Sequence, residues 1–528
     1  MPANVGDYTT HLAAAPFVGL VLWLIARRVQ RAFRNLPPGP KGLPIVGDVL
    51  HIVDLDWLAS SQRMDEYGEM MYVSALGKGV LVINSARVAI DLLEKRSNIY
   101  SDRPHYICAG EFSTKNLLLS LTPYGDLWRR FRRVAVEGFS KSAVKHFHPI
   151  QGREALMLAL ALIKNPSTLS LTLRKHLQRH AWSIMFTVNY HFEPIDSEDD
   201  PFIVGLAKQS ERLLSEMEPG TRLVEIFPWM RYIPSRFAKW KRDAEYWFVQ
   251  DSLMFGGHLD KVANDLANGV DRPSFGASVI QNQSKHDLSE CEQAWLAGQM
   301  LGAGGETTST ILLWWVLAML AYPEVQTRAH AELDEVVGNA RPPTFADLPS
   351  LPYIRAMVKE ALRWSPSVPF GIPHASTEDD WYEGMFIPKG TLCFQNMRTL
   401  NFDPEVFGSN ATDFDPARYL DEKGQVKALM VSREDGHMSF GFGRRICPGR
   451  FFAESTLGID IATLLWAMRF ERPEGAQGEL DVRTVVHAGV TAYVTFACSL
   501  DGFILTTSSR SCPRPFECKM TARFTEAE

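Results

Sequence analysis

Thirty-three consecutive residues, from Ser289 to Ala321, contain no proline, and they constrain the fold more than any other stretch of the chain. As one helix the segment would be about 50 Å long, because an α-helix rises about 1.5 Å per residue. Its apolar run, Ile311 to Tyr322, has twelve residues, whereas a helix that crosses a bilayer needs about 20. The sequence therefore predicts a long helix buried in the core of a large domain.

Four glycines crowd the middle of this predicted helix: Gly298, Gly302, Gly304 and Gly305. Each glycine costs about 1 kcal/mol relative to alanine in a helix interior, so a cluster of them needs a reason. We interpret the cluster as the close approach of a flat ligand. The alternative is a notch in which a neighbouring helix packs.

The pair Glu306 and Thr307 follows the glycines directly. A threonine hydroxyl can donate to the carbonyl one turn earlier, which loosens the helix and admits water. A neighbouring acid can pass protons through that water. We therefore predict a proton-delivering pair, with an ordinary surface glutamate as the alternative.

A single thiol, Cys447, lies in a glycine-rich run that extends from Phe440 to Gly449. One cysteine alone cannot form a zinc site, which usually has three or four protein ligands. A thiolate can, however, be the axial ligand of a haem iron. The alternative is a small buried side chain, the usual state of a free cysteine.

Two pairs of residues at helical spacing are further candidates. Glu360 and Arg363 lie three positions apart and can form an ion pair. Trp128 and Arg132 lie four apart, and both side chains only donate hydrogen bonds, which suits a carboxylate. The alternative for the second pair is an ordinary amphipathic helix with a basic face.

Taken together, these patterns resemble the cytochrome P-450 family of haem-thiolate monooxygenases, and in particular its microsomal fungal members. The Cys447 run matches the haem-binding signature of that family. Four more elements follow the family's order, and the resemblance covers roughly residues 37–483. The matching residues are Phe440, Gly443, Arg445, Cys447 and Gly449, then Trp128-x-x-x-Arg132, Ala303-Gly-Gly-Glu306-Thr307-Thr308, Glu360-x-x-Arg363 and Phe414-Asp-Pro-Ala-Arg418-Tyr419.

The resemblance implies a mainly α fold with a small β region and a bound heme b whose axial ligand is Cys447. It implies that Trp128, Arg132 and Arg445 bind the haem propionates, and that Phe440, Gly443 and Gly449 shape the cofactor loop. Thr307 and Glu306 would be catalytic. Glu360, Arg363 and Arg418 would form a structural salt-bridge frame behind the Cys447 loop. The substrate pocket would include Phe112, Met300, Ala303, Val368 and Phe370 and would favour an apolar molecule.

The implied reaction inserts one oxygen atom of dioxygen into an apolar small molecule, by hydroxylation or epoxidation, in fungal specialised-metabolite biosynthesis. Electrons would come from NADPH through a separate flavoprotein reductase, with cytochrome b5 as a further donor. One alternative is a haem-thiolate enzyme that does not use dioxygen: a peroxygenase, isomerase or dehydratase. Another is a non-catalytic membrane-anchored haem sensor.

The N-terminal segment predicts a membrane anchor over residues 1–36. Nineteen residues without an acidic or basic charge, from Tyr8 to Ala26, precede a cluster of four arginines between Arg27 and Arg34. Positive charges stay cytoplasmic, so the catalytic domain would face the cytosol from the endoplasmic reticulum membrane, with a single span. A cleaved signal peptide would carry its positive charges before the apolar run.

The rest of the chain predicts one catalytic domain, residues 45–528, after a proline- and glycine-rich hinge over residues 37–44. Seven scattered cysteines indicate a reducing compartment, and a net charge of −6 argues against a nucleic-acid partner. Residues 484–500 are uncharged and rich in valine and threonine, like a strand. We interpret them as an insertion that is atypical of the family.

Overall fold

The protein is described here from a computed structural model. The structure describes residues 35–40, 66–75, 78–197, 199–217, 222–270, 272–427, 436–476, 480, 495–499, 502–506, 513 and 515–524. The predicted membrane span at Tyr8–Ala26 lies outside these residues. Among the residues described, no single helix combines the length and hydropathy needed to cross a membrane. One pair of consecutive helices, Glu290–Ala321 and Pro323–Val336, meets that test together, with a bend of 103° between them.

The predicted central helix is present. It runs over Glu290–Ala321 and is numbered α11 in the chain order given below. Ser289 and Glu292 form a reciprocal capping box at its start, which satisfies two backbone N–H groups that have no partner within the helix. The helix ends at Tyr322, the residue before Pro323, because proline disfavours helical geometry in the residue that precedes it.

The remaining helices surround α11, and α5 packs along it more extensively than any other helix does. One core cluster joins α11, α13 and α16, and a second joins α3, α5 and α8. The α-helices are α1 (Ala86–Ala89), α2 (Ser97–Tyr100), α3 (Asp126–Gly138), α4 (His148–Lys164), α5 (Ser170–Tyr190), α6 (Pro201–Met217), α7 (Leu223–Ile226), α8 (Lys239–Ala267), α9 (Phe275–Gln281), α10 (Gln283–His286), α11 (Glu290–Ala321), α12 (Pro323–Val336), α13 (Pro352–Trp364), α14 (Met397–Asn401), α15 (Pro404–Phe407) and α16 (Arg450–Ala467).

Shorter helical segments lie between these helices. Two are π-helical, Ile90–Lys95 and Ile107–Ser113. The 3₁₀ turns are Ala143–Phe147, Pro228–Tyr232, Ser235–Phe237, Leu348–Ser350, Pro416–Tyr419 and Gly443–Arg445.

The β structure is small, as predicted. In the first sheet, of order β1-β2-β7-β4, the neighbours β2 and β7 are parallel and the other pairs antiparallel. The second sheet has the order β3-β11-β8, and two hairpins join β5 to β6 and β9 to β10. The strands are β1 (Met70–Ala75), β2 (Lys78–Ile83), β3 (Ser167–Leu169), β4 (His374–Ala375), β5 (Asp380–Tyr382), β6 (Met385–Ile387), β7 (Leu392–Gln395), β8 (Met468–Glu471), β9 (Thr495–Ser499), β10 (Gly502–Thr506) and β11 (Glu517–Ala522).

The first half of the predicted hinge lies along this β region. The amide of Tyr72 in β1 donates to the Pro38 carbonyl at 2.7 Å, and the amide of Phe386 in β6 donates to the Asn35 carbonyl at 2.6 Å. Residues 41–44 of the hinge lie outside the described part of the chain. Of the predicted insertion over residues 484–500, Thr495–Ser499 forms β9, in agreement with a strand-like composition. Residues 484–494 and 500 lie outside the described part of the chain.

Candidate active site

Cys447 lies in a loop whose shape depends on two glycines. Gly441 and Gly443 have φ angles of 77° and 58°, in the left-handed region that glycine adopts readily. A Cβ atom at Gly443 would lie 2.0 Å from the carbonyl oxygen of Leu93, so a side chain does not fit there. The Cys447 amide donates to the Phe440 carbonyl at 2.9 Å and closes the loop. The loop thus fixes the thiol just before α16 begins.

A cavity of about 270 Å³ is walled on one side by this loop and on another by α11. It brings together residues that are far apart in the sequence, from three of the motifs and from the segment around Val368. The predicted site residues that line it are Trp128, Arg132, Met300, Ala303, Thr307, Val368, Phe440, Arg445, Cys447 and Gly449.

Arg445 is a buried cation at the edge of the cavity. Its guanidinium lies over the Trp128 ring, 4.5 Å from the ring centroid. Its hydrogen bonds go to three neutral carbonyl oxygens, those of Ser101 at 2.8 Å, Leu119 at 3.3 Å and Thr122 at 2.8 Å. The side chain is thus held rigidly, with no carboxylate among these partners.

Two more arginines, Arg103 and Arg132, line the same cavity. Burial, and then the charges of Arg103 and Arg132, lower the pKa of Arg445 to about 8. A negatively charged group at this edge would restore the pKa, because an opposite charge favours the protonated guanidinium. This wall of the cavity therefore suits a ligand that carries carboxylates.

The α11 wall presents Thr307 and Ala303. Ala303 is exposed although it lies at the middle of an otherwise buried helix, because its side chain faces the cavity. Thr307 Oγ1 donates to the Ala303 carbonyl at 2.9 Å, the contact one turn back that the sequence predicts. The hydroxyl is thus fixed at the cavity surface with a lone pair still able to accept.

Behind the Cys447 loop lies a buried ion-pair cluster. Glu360 and Arg363 on α13 are fully buried and form two hydrogen bonds of 2.6 and 2.7 Å. Arg418 contacts Glu360 at 3.0 Å, and the amide of Asp415 donates to the same carboxylate at 2.7 Å. The predicted pairing of these three side chains is present in the structure.

Comparisons with known proteins agree with this geometry. The family model for cytochrome P-450 matches residues 37–493. A cytochrome P-450 monooxygenase of Armillaria gallica is 44% identical over 96% of this chain and 94% of its own length. Another, from Postia placenta, is 40% identical over 96% of this chain and 92% of its own length. This chain belongs to the cytochrome P-450 family.

Cytochromes P-450 bind haem through a cysteine thiolate, and Cys447, in the loop that lines the cavity, is the thiol that could supply it here. The residues present fit the cofactor. Cys447 is partly exposed at one wall, Ala303 leaves the facing helix surface open, and Arg445 stands at the edge without a carboxylate partner among its hydrogen bonds.

The glycines of α11 have a different role from the one predicted. A Cβ atom at Gly298 would lie 2.3 Å from Phe255 of α8, and one at Gly305 would lie 2.5 Å from Trp182 of α5. At Gly304 it would lie 2.4 Å from the sulfur of Met185, also on α5. These three glycines make room for neighbouring helices, so the interpretation that a flat ligand requires them is wrong. Gly302 has no heavy atom within 4 Å of its Cβ position among the described residues, apart from its own helix backbone and chain neighbours.

Besides the ion-pair cluster, which was predicted to lie behind the loop, four predicted site residues do not line the cavity. Glu306 is buried beside Thr307 but faces another direction, because adjacent helical residues are about 100° apart. Gly443 packs against Leu93 instead. Phe112 belongs to the π-helix Ile107–Ser113 and packs against Trp240 with the ring centroids 5.4 Å apart.

Phe370 is the fourth. It packs into the small cluster on one face of the first sheet, against Phe394 and its neighbours. Its neighbour Val368, two residues earlier, reaches the cavity. The prediction that Phe112 and Phe370 form the pocket is therefore wrong for this cavity, and ordinary packing explains both rings.

Several residues at the site were not predicted. Arg103 donates to the carbonyls of Ser120, Ile372 and Pro373 at 2.6–2.8 Å. His374 Nδ1 donates to the Tyr100 carbonyl at 2.6 Å, so the proton of the neutral ring is on Nδ1. Burial, and then the charge of Arg103, lowers the pKa of His374 well below its usual value. Neither residue lies in a motif that marks it as functional.

Asn401 on α14 was also missed, because an asparagine in a loop-rich region carries no signal of its own. Its carbonyl accepts from Arg363 at 2.7 Å. Its side chain accepts from the Met438 amide at 2.9 Å and donates to Ser439 Oγ at 2.8 Å. Asn401 therefore connects the buried ion-pair cluster to the chain just before Phe440.

Proposed function

We propose that this cytochrome P-450 is a monooxygenase of fungal specialised metabolism that hydroxylates or epoxidises a mainly apolar small molecule. The observation that carries the proposal is the position of Thr307 on the cavity wall, with its hydroxyl held against the Ala303 carbonyl. In the overall reaction, one oxygen atom of dioxygen enters the substrate and the other leaves as water, which consumes two electrons and two protons. Bound haem with a thiolate ligand supplies the activation of dioxygen.

The protein's own residues would have separate roles in the reaction. Thr307 can accept a proton from water and pass one into the cavity, and the neighbouring Glu306 would supply protons to that water. Trp128, Arg132 and Arg445 would hold the cofactor carboxylates. Glu360, Arg363 and Arg418 would position the Cys447 loop and take no part in the chemistry.

The names of related proteins and the organisms they come from support a monooxygenase reaction in a fungus. The curated relatives described above are named cytochrome P-450 monooxygenases, and they come from fungi. A further relative, from Amanita muscaria, carries the same name and is 34% identical over 99% of this chain and 96% of its own length. The names specify no substrate, so the apolar substrate is inferred from side chains such as Met300, Ala303 and Val368 on the cavity wall.

An exposed basic face supports docking of an acidic electron donor, such as a flavoprotein reductase or cytochrome b5. Arg129, Arg133 and Arg444 are exposed, and Arg129 and Arg444 both lie over the Tyr124 ring, 5.6 and 5.4 Å from its centroid. Complementary charge speeds encounter between proteins. We expect charge reversal at Arg133 to slow electron transfer, with the effect lost at high salt.

A surface rich in exposed aromatic residues supports residence at a membrane. Trp229, Tyr232 and Phe237 are 64%, 78% and 71% exposed, and Arg231 and Arg236 lie among them. Aromatic and basic side chains together favour the interface between lipid and water. Together with the N-terminal apolar segment, this surface fits a cytosol-facing catalytic domain on the endoplasmic reticulum membrane. Flotation of the full chain with liposomes tests the association.

Two measurements test the reaction. The reduced, carbon-monoxide-bound protein should show a thiolate-type Soret band that Cys447→Ser abolishes. Product formed from NADPH, reductase and isotopically heavy dioxygen should carry one heavy oxygen atom. Unlabelled product would favour an isomerase, a dehydratase or a peroxygenase, and a normal Soret band without consumption of NADPH in the presence of apolar substrates would favour a sensor.

A further inference from the structure

A polar pair interrupts the apolar wall of the cavity. Gln299 of α11 and Ser120, which lies between the π-helix Ile107–Ser113 and α3, both line the cavity. Gln299 Nε2 donates to Ser120 Oγ at 2.7 Å. Their neighbours on the wall include Leu119, Met300 and Ala303, which offer no polar side-chain atoms.

The Gln299 amide is only half satisfied. Its Oε1 atom is buried and has no hydrogen-bond partner among the residues that the structure describes. A side-chain amide can accept two hydrogen bonds and donate two, and a buried polar atom without a partner is unfavourable. The pair keeps further hydrogen-bonding capacity, because the Gln299 amide nitrogen has a second hydrogen and Ser120 Oγ has a hydrogen and a second lone pair. A ligand hydroxyl group, which both donates and accepts, could pair with these atoms.

The pair lies at a defined distance from the proposed site of oxygen chemistry. Gln299, Ala303 and Thr307 are spaced four residues apart on α11 and therefore share one face of the helix. Eight residues correspond to about 12 Å along the axis. A ligand that binds at Gln299 would lie along this face and present a carbon about 12 Å away to the region next to Thr307.

We propose that Gln299 and Ser120 bind a hydroxyl group of the substrate, so that the substrate is an elongated apolar alcohol oxidised at its far end. This proposal rests on the proposed function and specifies its substrate class. Gln299 determines specificity and takes no part in proton delivery. The same geometry gives an apolar molecule without the hydroxyl no fixed position along α11.

The test uses the haem-loaded full chain and two probes, dodecanol and its methyl ether, which lacks the donor hydrogen. Binding is followed as the change in Soret absorption, which gives a dissociation constant for each probe. We expect the wild type to bind dodecanol about tenfold more tightly than the ether, as one hydrogen bond to a buried group would give. Gln299→Leu should bring the two constants close together, and Ser120→Ala should shift them in the same direction.

Met300→Leu is the matched control, because Met300 also lines the cavity from α11 but has only a weakly accepting thioether sulfur; this variant should keep the preference. Equal affinities in the wild type, or a preference that survives Gln299→Leu, would overturn the proposal. So would tight binding of dodecanoic acid that persists in Gln299→Leu, because Arg103 would then hold the polar end. Failure of the proposed function would be seen earlier and separately, as a missing thiolate-type Soret band before any probe is added.

Discussion

The buried guanidinium of Arg363 donates to the backbone carbonyl of Asn401 at 2.7 Å, and through this contact the ion-pair cluster reaches the loop that carries Cys447. Asn401 holds Met438 and Ser439 with its side chain, and the Phe440 carbonyl that follows accepts from the Cys447 amide. Arg363 also donates to the carbonyls of Ala411 and Asp413. One charged side chain thus fixes three stretches of backbone around the cofactor site.

Replacement of Arg363 with alanine should cause loss of haem rather than slow turnover. The change leaves the fully buried Glu360 without its main partner, at a cost of about 3–5 kcal/mol. Haem per protein and denaturant unfolding measure the outcome. Arg341→Ala is the control, since its exposed pair with Asp347 is screened by water and should contribute far less. Full haem content with a lowered rate would contradict the structural role.

Asn401→Ala should have a smaller effect on the same property. It removes the side-chain bonds to Met438 and Ser439 but keeps the carbonyl that accepts from Arg363. The buried Met438 amide loses its partner, at about 1–3 kcal/mol, whereas Ser439 Oγ still donates to the Leu362 carbonyl. We expect the thiolate-type Soret band to decay faster on warming, while the unfolding midpoint falls less than in Arg363→Ala. If the Soret band of Asn401→Ala decays no faster on warming than that of the wild type, the side-chain bonds of Asn401 are not needed to retain haem.

Haem dimethyl ester should bind to the apoprotein at least about tenfold more weakly than haem, because it lacks the carboxylates that Arg445 and Arg132 would pair with. Titration of apoprotein followed by Soret absorption measures both ligands. In Arg445→Leu the two affinities should approach each other. If the ester and the acid bind alike to the wild type, the arginines serve another purpose.

Thr307→Ala should uncouple electron use from product formation, since general acid–base groups contribute about a hundredfold or more. NADPH should still be consumed while the yield of oxidised product per NADPH falls and hydrogen peroxide rises. Thr307→Ser keeps the hydroxyl and should retain coupling. Thr308→Ala is the positional control, because Thr308 lies on the same cavity wall. Unchanged coupling in Thr307→Ala would remove Thr307 from the proton path.

Stability should fall on mild acidification because of His437. Burial, and then the nearby charges of Lys359 and Arg363, lower the pKa of His437 from 6.5 to about 3. Below pH 6.5 the unfolded chain therefore binds a proton that the folded protein does not, so stability is lost as the pH falls. Between pH 7.5 and 5.5 the loss should be about 1.4 kcal/mol in unfolding free energy.

His437→Gln should remove this part of the pH dependence, measured by denaturant unfolding at both pH values. His146→Gln, at an exposed position, should leave the pH dependence as it is in the wild type. An identical slope for His437→Gln and the wild type would show that the imidazole is protonated in the folded state.

The sequence was sufficient to predict a residue's contacts where its partners lie close to it along the chain. The hydroxyl contact of Thr307 one turn back and the pairing of Glu360 with Arg363 depend on separations of only four and three residues. The placement of Cys447 opposite α11 followed from the family resemblance.

What the sequence could not show depends on tertiary packing. Phe112 and Phe370 have the composition of pocket residues, yet the π-helix and the first sheet turn them into other clusters. His374 and Arg103 acquire their roles from backbone carbonyls of distant segments. Asn401 acquires its role from the Arg363 guanidinium and the Met438 amide, which are also distant in the sequence. No local pattern encodes which carbonyl will lie within 3 Å of a given side chain.

The glycines of α11 have a consequence for the shape of the active site. Because Phe255 and Trp182 fit against the rear of the helix at Gly298 and Gly305, these two aromatic rings determine how far α11 stands from the Cys447 loop. Neither ring lines the cavity. Smaller side chains at these positions would let the helix retreat, so the enzyme could be made to accept wider molecules without altering a single residue that a substrate touches.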